Sequence, residues 1–155
     1  MSKFKITSFL ILIIFFLNNC GFTPQYAGFK NLDFNIIVKN SSGDRDLNNA
    51  IKSKLNRYQG EKENLKVVNV NFNTVYVKNV VAKNTKGEAT KYNLIATVNF
   101  KIEIDGSSTN LIFKEQFKID KIDDTVEENN YIKIVKSNFA ESIAEKLIRE
   151  IQKNR

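Results

Sequence analysis

Only one residue in this chain, Cys20, carries a thiol, and the chain contains no histidine. Those two facts remove thiolate metal sites, the commonest zinc ligand, the commonest general base and every Ser-His-Asp arrangement. An enzyme built from this chain would have to work through carboxylates, Lys or Tyr alone. No paired acidic motif falls on a periodic segment, so neither an enzyme nor a cofactor is expected. What remains is charge. Lys83, Lys86 and Lys91 gather around one turn, and Lys114, Lys118 and Lys121 recur along one strand. Several ammonium groups set close together attract phosphorylated ligands. The opposing reading is a Lys-rich edge that keeps strands of different molecules apart. Asp120, Asp123, Asp124, Glu127 and Glu128 form an acidic cluster without the ligand spacing and glycine of an EF-hand loop. It reads as a solvated helix entry favoured by the macrodipole.

The chemistry of Cys20 is set by what precedes it. Lys3 and Lys5 are followed by an unbroken apolar run over residues 9–17, then Asn18, Asn19, Cys20 and Gly21. Charged, apolar and short polar segments in that order make a secretory signal peptide. The run is too short for a membrane span, which takes about 20 residues. A cysteine at the cleavage point resembles the lipobox of bacterial lipoprotein precursors, with Leu17 at its leucine position and Asn19 where a small residue is usual. The expectation is a cleaved leader, residues 1–19, and a lipidated Cys20 opening the mature chain. Loss of Lys3 and Lys5 lowers the formal charge of +7 by two. Lys far outnumbers Arg, and Asn and Ile are abundant, which is the bias an AT-rich genome imposes. Basicity therefore carries weight only where lysines cluster.

Residues 20–31 hold the one proline, Pro24, and read as a lipidated tether; residues 32–155 read as a single globular domain. Residues 32–39 are a strand candidate closed by Asn40-Ser41-Ser42-Gly43. Asp44 can cap a helix running to about residue 59, with Leu47, Ile51, Leu55 and Tyr58 on one face. A long strand over 65–82 alternates Val68, Val70 and Phe72 with asparagines, then changes parity at Val75 and Val77. That change predicts a bulge or a bend near Thr74. A turn at 83–88 leads to the cleanest alternation in the chain: Leu94, Ala96, Val98, Phe100, Ile102 and Ile104 on one face. After a turn at 105–108, residues 111–120 make a last strand with Leu111, Phe113, Phe117 and Ile119 inward and Glu115 interrupting. Tyr131, Val135, Phe139, Ile143, Leu147 and Ile151 then recur every four residues, with Lys136, Glu141, Glu145, Lys146 and Arg149 on the other face. Asp124 or Thr125 can start this helix, and Asn138 can break it. The order β-α-β-β-β-α, with one apolar face per strand, predicts an α+β two-layer sandwich. Its mixed four-stranded sheet carries two helices on one face, and the first strand runs parallel to the second. The second, Asn-rich sheet face suits a wet protein contact as well as plain solvation.

Cys20-Gly21-Phe22-Thr23-Pro24-Gln25-Tyr26 resembles the mature start of the LPS-assembly lipoprotein family (LptE). Tyr92-Asn93-Leu94 is similar to the opening of that family's middle strand, and residues 143–151 are similar to its closing helix. The acidic segment 121–130 matches no motif of the family. The resemblance implies a lipid-anchored protein at the periplasmic face of the outer membrane. It would plug and support the lipopolysaccharide translocon, an LptD-like β-barrel, and bind lipopolysaccharide in transit. Lys83, Lys86, Lys91, Lys114 and Lys118 are then the candidate lipopolysaccharide-binding residues. Tyr26, Tyr92 and Tyr131 are either barrel contacts or core-edge packing. An auxiliary lipoprotein of an ABC-type lipid transport system fits the same anchor and layout. Nucleic acid, which basic charge with aromatics can suit, is not an expected partner of an exported lipoprotein.

Overall fold

The computed structural model describes residues 34–58 and 65–153. The leader, Cys20, the tether with Tyr26, and the helix stop near Gly60 lie outside them. Six elements follow in the predicted order: β1 (Phe34–Gly43), α1 (Arg45–Asn56), β2 (Lys66–Lys83), β3 (Ala89–Ile104), β4 (Ser107–Asp120) and α2 (Thr125–Lys153). The sheet order is β1-β2-β3-β4, with β1 parallel to β2 and the other pairs antiparallel. This is the mixed, helix-backed α+β sandwich that the alternation implies.

The even-numbered residues of β3 and the helix stripes close the core. Leu94, Ala96, Val98 and Phe100 are buried, as are Leu47, Ile51 and Leu55 of α1 and Phe139, Ile143 and Leu147 of α2. Ala140 and Ala144 are wholly buried, which lets α2 approach its neighbours closely. Phe100 links strands sideways, its ring 5.4 Å from Phe72 and 5.9 Å from Phe113.

Caps and turns decide the boundaries. Asp44 accepts a hydrogen bond from the Leu47 amide at 2.8 Å, satisfying one of the free donors of α1. Asp124 does the same for Glu127 at 2.7 Å and so starts α2. Ile104 pairs with Ser107, leaving Asp105 (φ 48°) and Gly106 (φ 80°) as a two-residue turn of the primed kind that strand twist favours.

Five local expectations change. First, β1 runs on through Asn40-Ser41-Ser42, because the Asn40 amide donates to Asn71 at 3.1 Å and the Asn73 amide to Ser42 at 2.8 Å. The chain turns only at Gly43, whose φ of 99° and closeness to Thr74 exclude a side chain. A Cβ there would sit 1.8 Å from the Thr74 carbonyl oxygen. Second, no bulge falls at Thr74. The β2–β3 register is unbroken from Asn69 to Val80 and shifts only between Val80 and Lys83. The alternation changes because the helical layer changes: past Phe72, the covered face of β2 takes polar Thr74, Tyr76 and Lys78. Third, Lys136 is buried, not solvated. Its ammonium meets the Asp44 carboxylate at 2.9 Å and lies 4.3 Å from the Tyr76 ring centre. Fourth, Phe117 remains half exposed, because β4 is an edge strand with no neighbour on its outer side; Glu115 points inward to Ser142 and Lys146 of α2. Fifth, α2 is continuous through Asn138.

Candidate ligand and partner surface

The helices cover one face of the sheet, so the other face is the broadest surface these strands present. Period-two alternation fixes what stands on it. From β2 come Asn69, Asn71, Asn73, Val75 and Val77. They sit opposite Glu103, Lys101, Asn99, Thr97 and Ile95 of β3. From β4 come Asn110, Ile112, Lys114 and Lys118.

The surface divides along the strands. Near the Asp105-Gly106 turn it is polar and neutral. Asn40, Asn71, Asn73, Asn99 and Asn110 line a shallow groove of about 540 Å³, with Lys101 at its side. Three side-chain amide oxygens of this face, on Asn35, Asn69 and Asn93, are shielded and meet no donor. Buried acceptors of that kind normally find a partner. Toward the other end the surface becomes apolar and then cationic. Val77 faces Ile95, and Lys114 and Lys118 face Thr97 and Asn93.

The candidate lysines thus divide into two groups. Lys91, Lys114 and Lys118 share the open face. Lys118 stands opposite Asn93, and Lys91 stands two residues from Asn93 on the same strand face. Lys91 is partly neutralised by Asp120 at 3.1 Å. Lys114 and Lys118 have no carboxylate partner among the described residues. They are four residues apart on β4, which is about 13 Å along a strand. Lys83 and Lys86 sit at the β2–β3 hairpin. That turn is fixed by Asn84, whose side-chain oxygen accepts from the Lys86 and Glu88 amides at 3.0 Å each. Lys101 was not among the candidate binding lysines. The signal was present, since its parity on β3 already assigned it to the open face. It is ion-paired with Glu103 at 3.1 Å.

The acidic residues of segment 120–128 are dispersed among separate tasks. Asp120 holds Lys91, Asp123 holds Lys121 at 3.2 Å, Asp124 caps α2 and Glu128 holds Lys78. The hydrogen bond and charge of Asp123 raise the pKa of Lys121. Behind the sheet, Tyr92 carries the Lys78 ammonium 3.9 Å from its ring centre, while Tyr131 is exposed on α2. Thr74 donates to Asn48 at 2.7 Å, and Lys136 joins Asp44 to Tyr76. These contacts, with Glu128 on Lys78, tie both helices to β2.

No protein-family model matches the chain, and no curated protein sequence does. Solved structures do match. The crystal structure of rare lipoprotein B from Shewanella oneidensis covers 77% of this chain and 96% of its own length at 16% identity, with a TM-score of 0.51. A minor lipoprotein from Acinetobacter baumannii covers 70% and 91% at 18% identity and a TM-score of 0.47. Lipoprotein B from Nitrosomonas europaea covers 75% and 83% at 11% identity and a TM-score of 0.49. At these identities the likeness is one of fold, and the chain is built on the fold of rare lipoprotein B.

Proposed function

We propose that this protein is an outer-membrane lipoprotein that plugs and supports the lipopolysaccharide translocon barrel and binds lipopolysaccharide in transit. The observation that carries the proposal is the fold shared with rare lipoprotein B over nearly all of that protein's length, in a chain whose single cysteine follows a lipoprotein-type leader. The open face supports it further. A surface graded from amide-rich to apolar to cationic offers hydrogen bonds to sugar hydroxyls, contact to acyl chains and charge to phosphates. The Asn-rich end also suits the wet rim of a protein contact. Nothing covalent is required: the protein acts by occupying space and holding a ligand. The test is an affinity pull-down of the tagged protein from detergent-solubilised outer membranes, with mass spectrometry of what comes with it. A large outer-membrane β-barrel is the expected partner. Recovery with an ABC transporter and no barrel would overturn the reading.

A further inference from the structure

The inward positions of β4 change character along the strand. Leu111 and Phe113 stand opposite Phe100 and Val98 of β3 and continue their apolar face. Thr109 and Ser107 stand opposite Ile102 and Ile104. Short hydroxyl side chains at those two places leave space that larger apolar ones would fill. A cavity of about 280 Å³ results, between this end of the sheet and the last turn of α2. Phe34, Val68, Ile102, Ile104, Leu111 and Ile151 give it apolar walls. The polar lining stands toward solvent: Lys66 and Asp105 are more than half exposed, and Ser107 and Thr109 are exposed with them. Protein interiors leave few voids larger than a water molecule. An apolar cleft with a few polar groups at its mouth is instead the usual form of a small-molecule site.

We propose that this cavity binds a single-chain lipid with an uncharged, hydroxyl-bearing head, of the monoacylglycerol class. Volume sets the tail. An apolar cavity of about 150 Å³ takes a six-carbon ring, so this one takes about ten carbons of one alkyl chain. Charge sets the head. Among the described residues lining the cavity the cation is Lys66, and Asp105 holds it at 2.7 Å; Glu150 adds a further carboxylate. A phosphate, sulfate or carboxylate head therefore meets no unengaged ammonium in that lining. The hydroxyls of Ser107 and Thr109 can both donate to and accept from a glycerol head. The cavity lies between the layers and apart from the open face, so it stands or falls independently of the translocon reading.

The test uses the full acylated chain in phosphatidylcholine vesicles, with monodecanoylglycerol carrying a diazirine on its tail as the probe. After irradiation, mass spectrometry should place the label on residues 102–111 and at Ile151, and excess unlabelled monodecanoylglycerol should remove it. Decyl sulfate, with the same tail and a fixed negative charge, should compete at least about tenfold less well, since its head finds no partner cation. Thr109→Leu fills the cavity and should cut labelling at least about tenfold. Thr109→Val keeps the volume and should leave labelling within about threefold, the loss of one neutral hydrogen bond. Ser107→Leu is a second filling variant should Thr109→Leu disturb the fold, which circular dichroism reports. Label that monodecanoylglycerol does not displace, label confined to the open face around Val75 and Ile112, equal competition by decyl sulfate, or undiminished labelling of a folded filled variant would each overturn the proposal.

Discussion

At the residue scale, two ionisable groups tie stability to pH in opposite directions. Burial, and then the charges of Asp44 and Glu128, push the Tyr76 phenol up to about 12 from 10.0. Below pH 10 the phenol is neutral in both folded and unfolded chains and contributes no pH dependence. Between pH 10 and 12 the unfolded chain ionises first, so stability falls as pH rises through that window. Tyr76→Phe removes this loss. It should cost nothing at pH 7, because the hydroxyl is shielded and meets no partner. Urea melts of both proteins at pH 9 and 11 check this; a parallel decline in the two would refute it. Glu141 behaves the other way. Burial raises its pKa, but hydrogen bonds and charge from Lys54 and Arg57 outweigh that and leave it lowered. The ion pairs, at 2.6 and 2.8 Å, join α2 to α1. Their contribution is fully present above the ordinary glutamate range and is lost as pH falls below that range through the lowered pKa of the folded state. Glu141→Gln should destabilise by about 0.5–1 kcal/mol at pH 7, and the difference between the two proteins should shrink as pH falls below the ordinary glutamate range.

At the element scale, the β1–α1 junction and the open face of the sheet each make a prediction. Gly43→Ala should cost about 3 kcal/mol or more in a denaturant melt, because strain at positive φ adds to a collision with the Thr74 carbonyl. Gly106→Ala is the control: φ is 80° but nothing lies within 4 Å, so only the 1–2 kcal/mol or so of the backbone term applies. On the sheet, Lys114→Glu/Lys118→Glu reverses the two lysines without carboxylate partners. It should weaken lipopolysaccharide binding in a vesicle assay about tenfold, equivalent to ~1.4 kcal/mol. Unchanged affinity would return those lysines to an edge-guarding role. The elements themselves were legible in the sequence because their signals are local. Six even-numbered apolar residues between Leu94 and Ile104 define a strand face without reference to anything else. Asp44 before Leu47 is a cap whatever the fold. The misreadings fall where a distant partner decides. Lys136 looks solvated on a helical wheel until Asp44, far away in sequence, arrives to neutralise it. Asn40-Ser41-Ser42 looks like a turn until Asn71 and Asn73 take up its side chains. Lys114 and Lys118 were readable as one face of β4, whereas the partner that neutralises Lys91, Asp120, depends on strand register.

At the scale of the whole molecule, the fold and its attachment are separable. Among the described residues no helix is long and apolar enough to cross a membrane, and the buried core draws on every strand and both helices. The membrane attachment expected from the sequence rests instead on Cys20, since multiple acyl chains exceed the two-signal threshold for stable anchoring. Exchanging residues 1–20 for an ordinary cleavable export leader removes the acyl chains and leaves residues 21–155 unchanged. The secreted protein should then give the same far-ultraviolet dichroism and the same denaturant midpoint as the natural form. It should stay in the supernatant of a high-speed spin that pellets the natural form. Two results would break this separation. If the exchanged protein still pellets, a surface of the sandwich itself binds the membrane, and the Val75, Val77 and Ile112 region of the open face becomes the first place to look. If intact mass shows the natural protein carrying its leader or lacking acyl chains, the lipid anchor falls, and the proposed role beside an outer-membrane barrel loses its means of localisation.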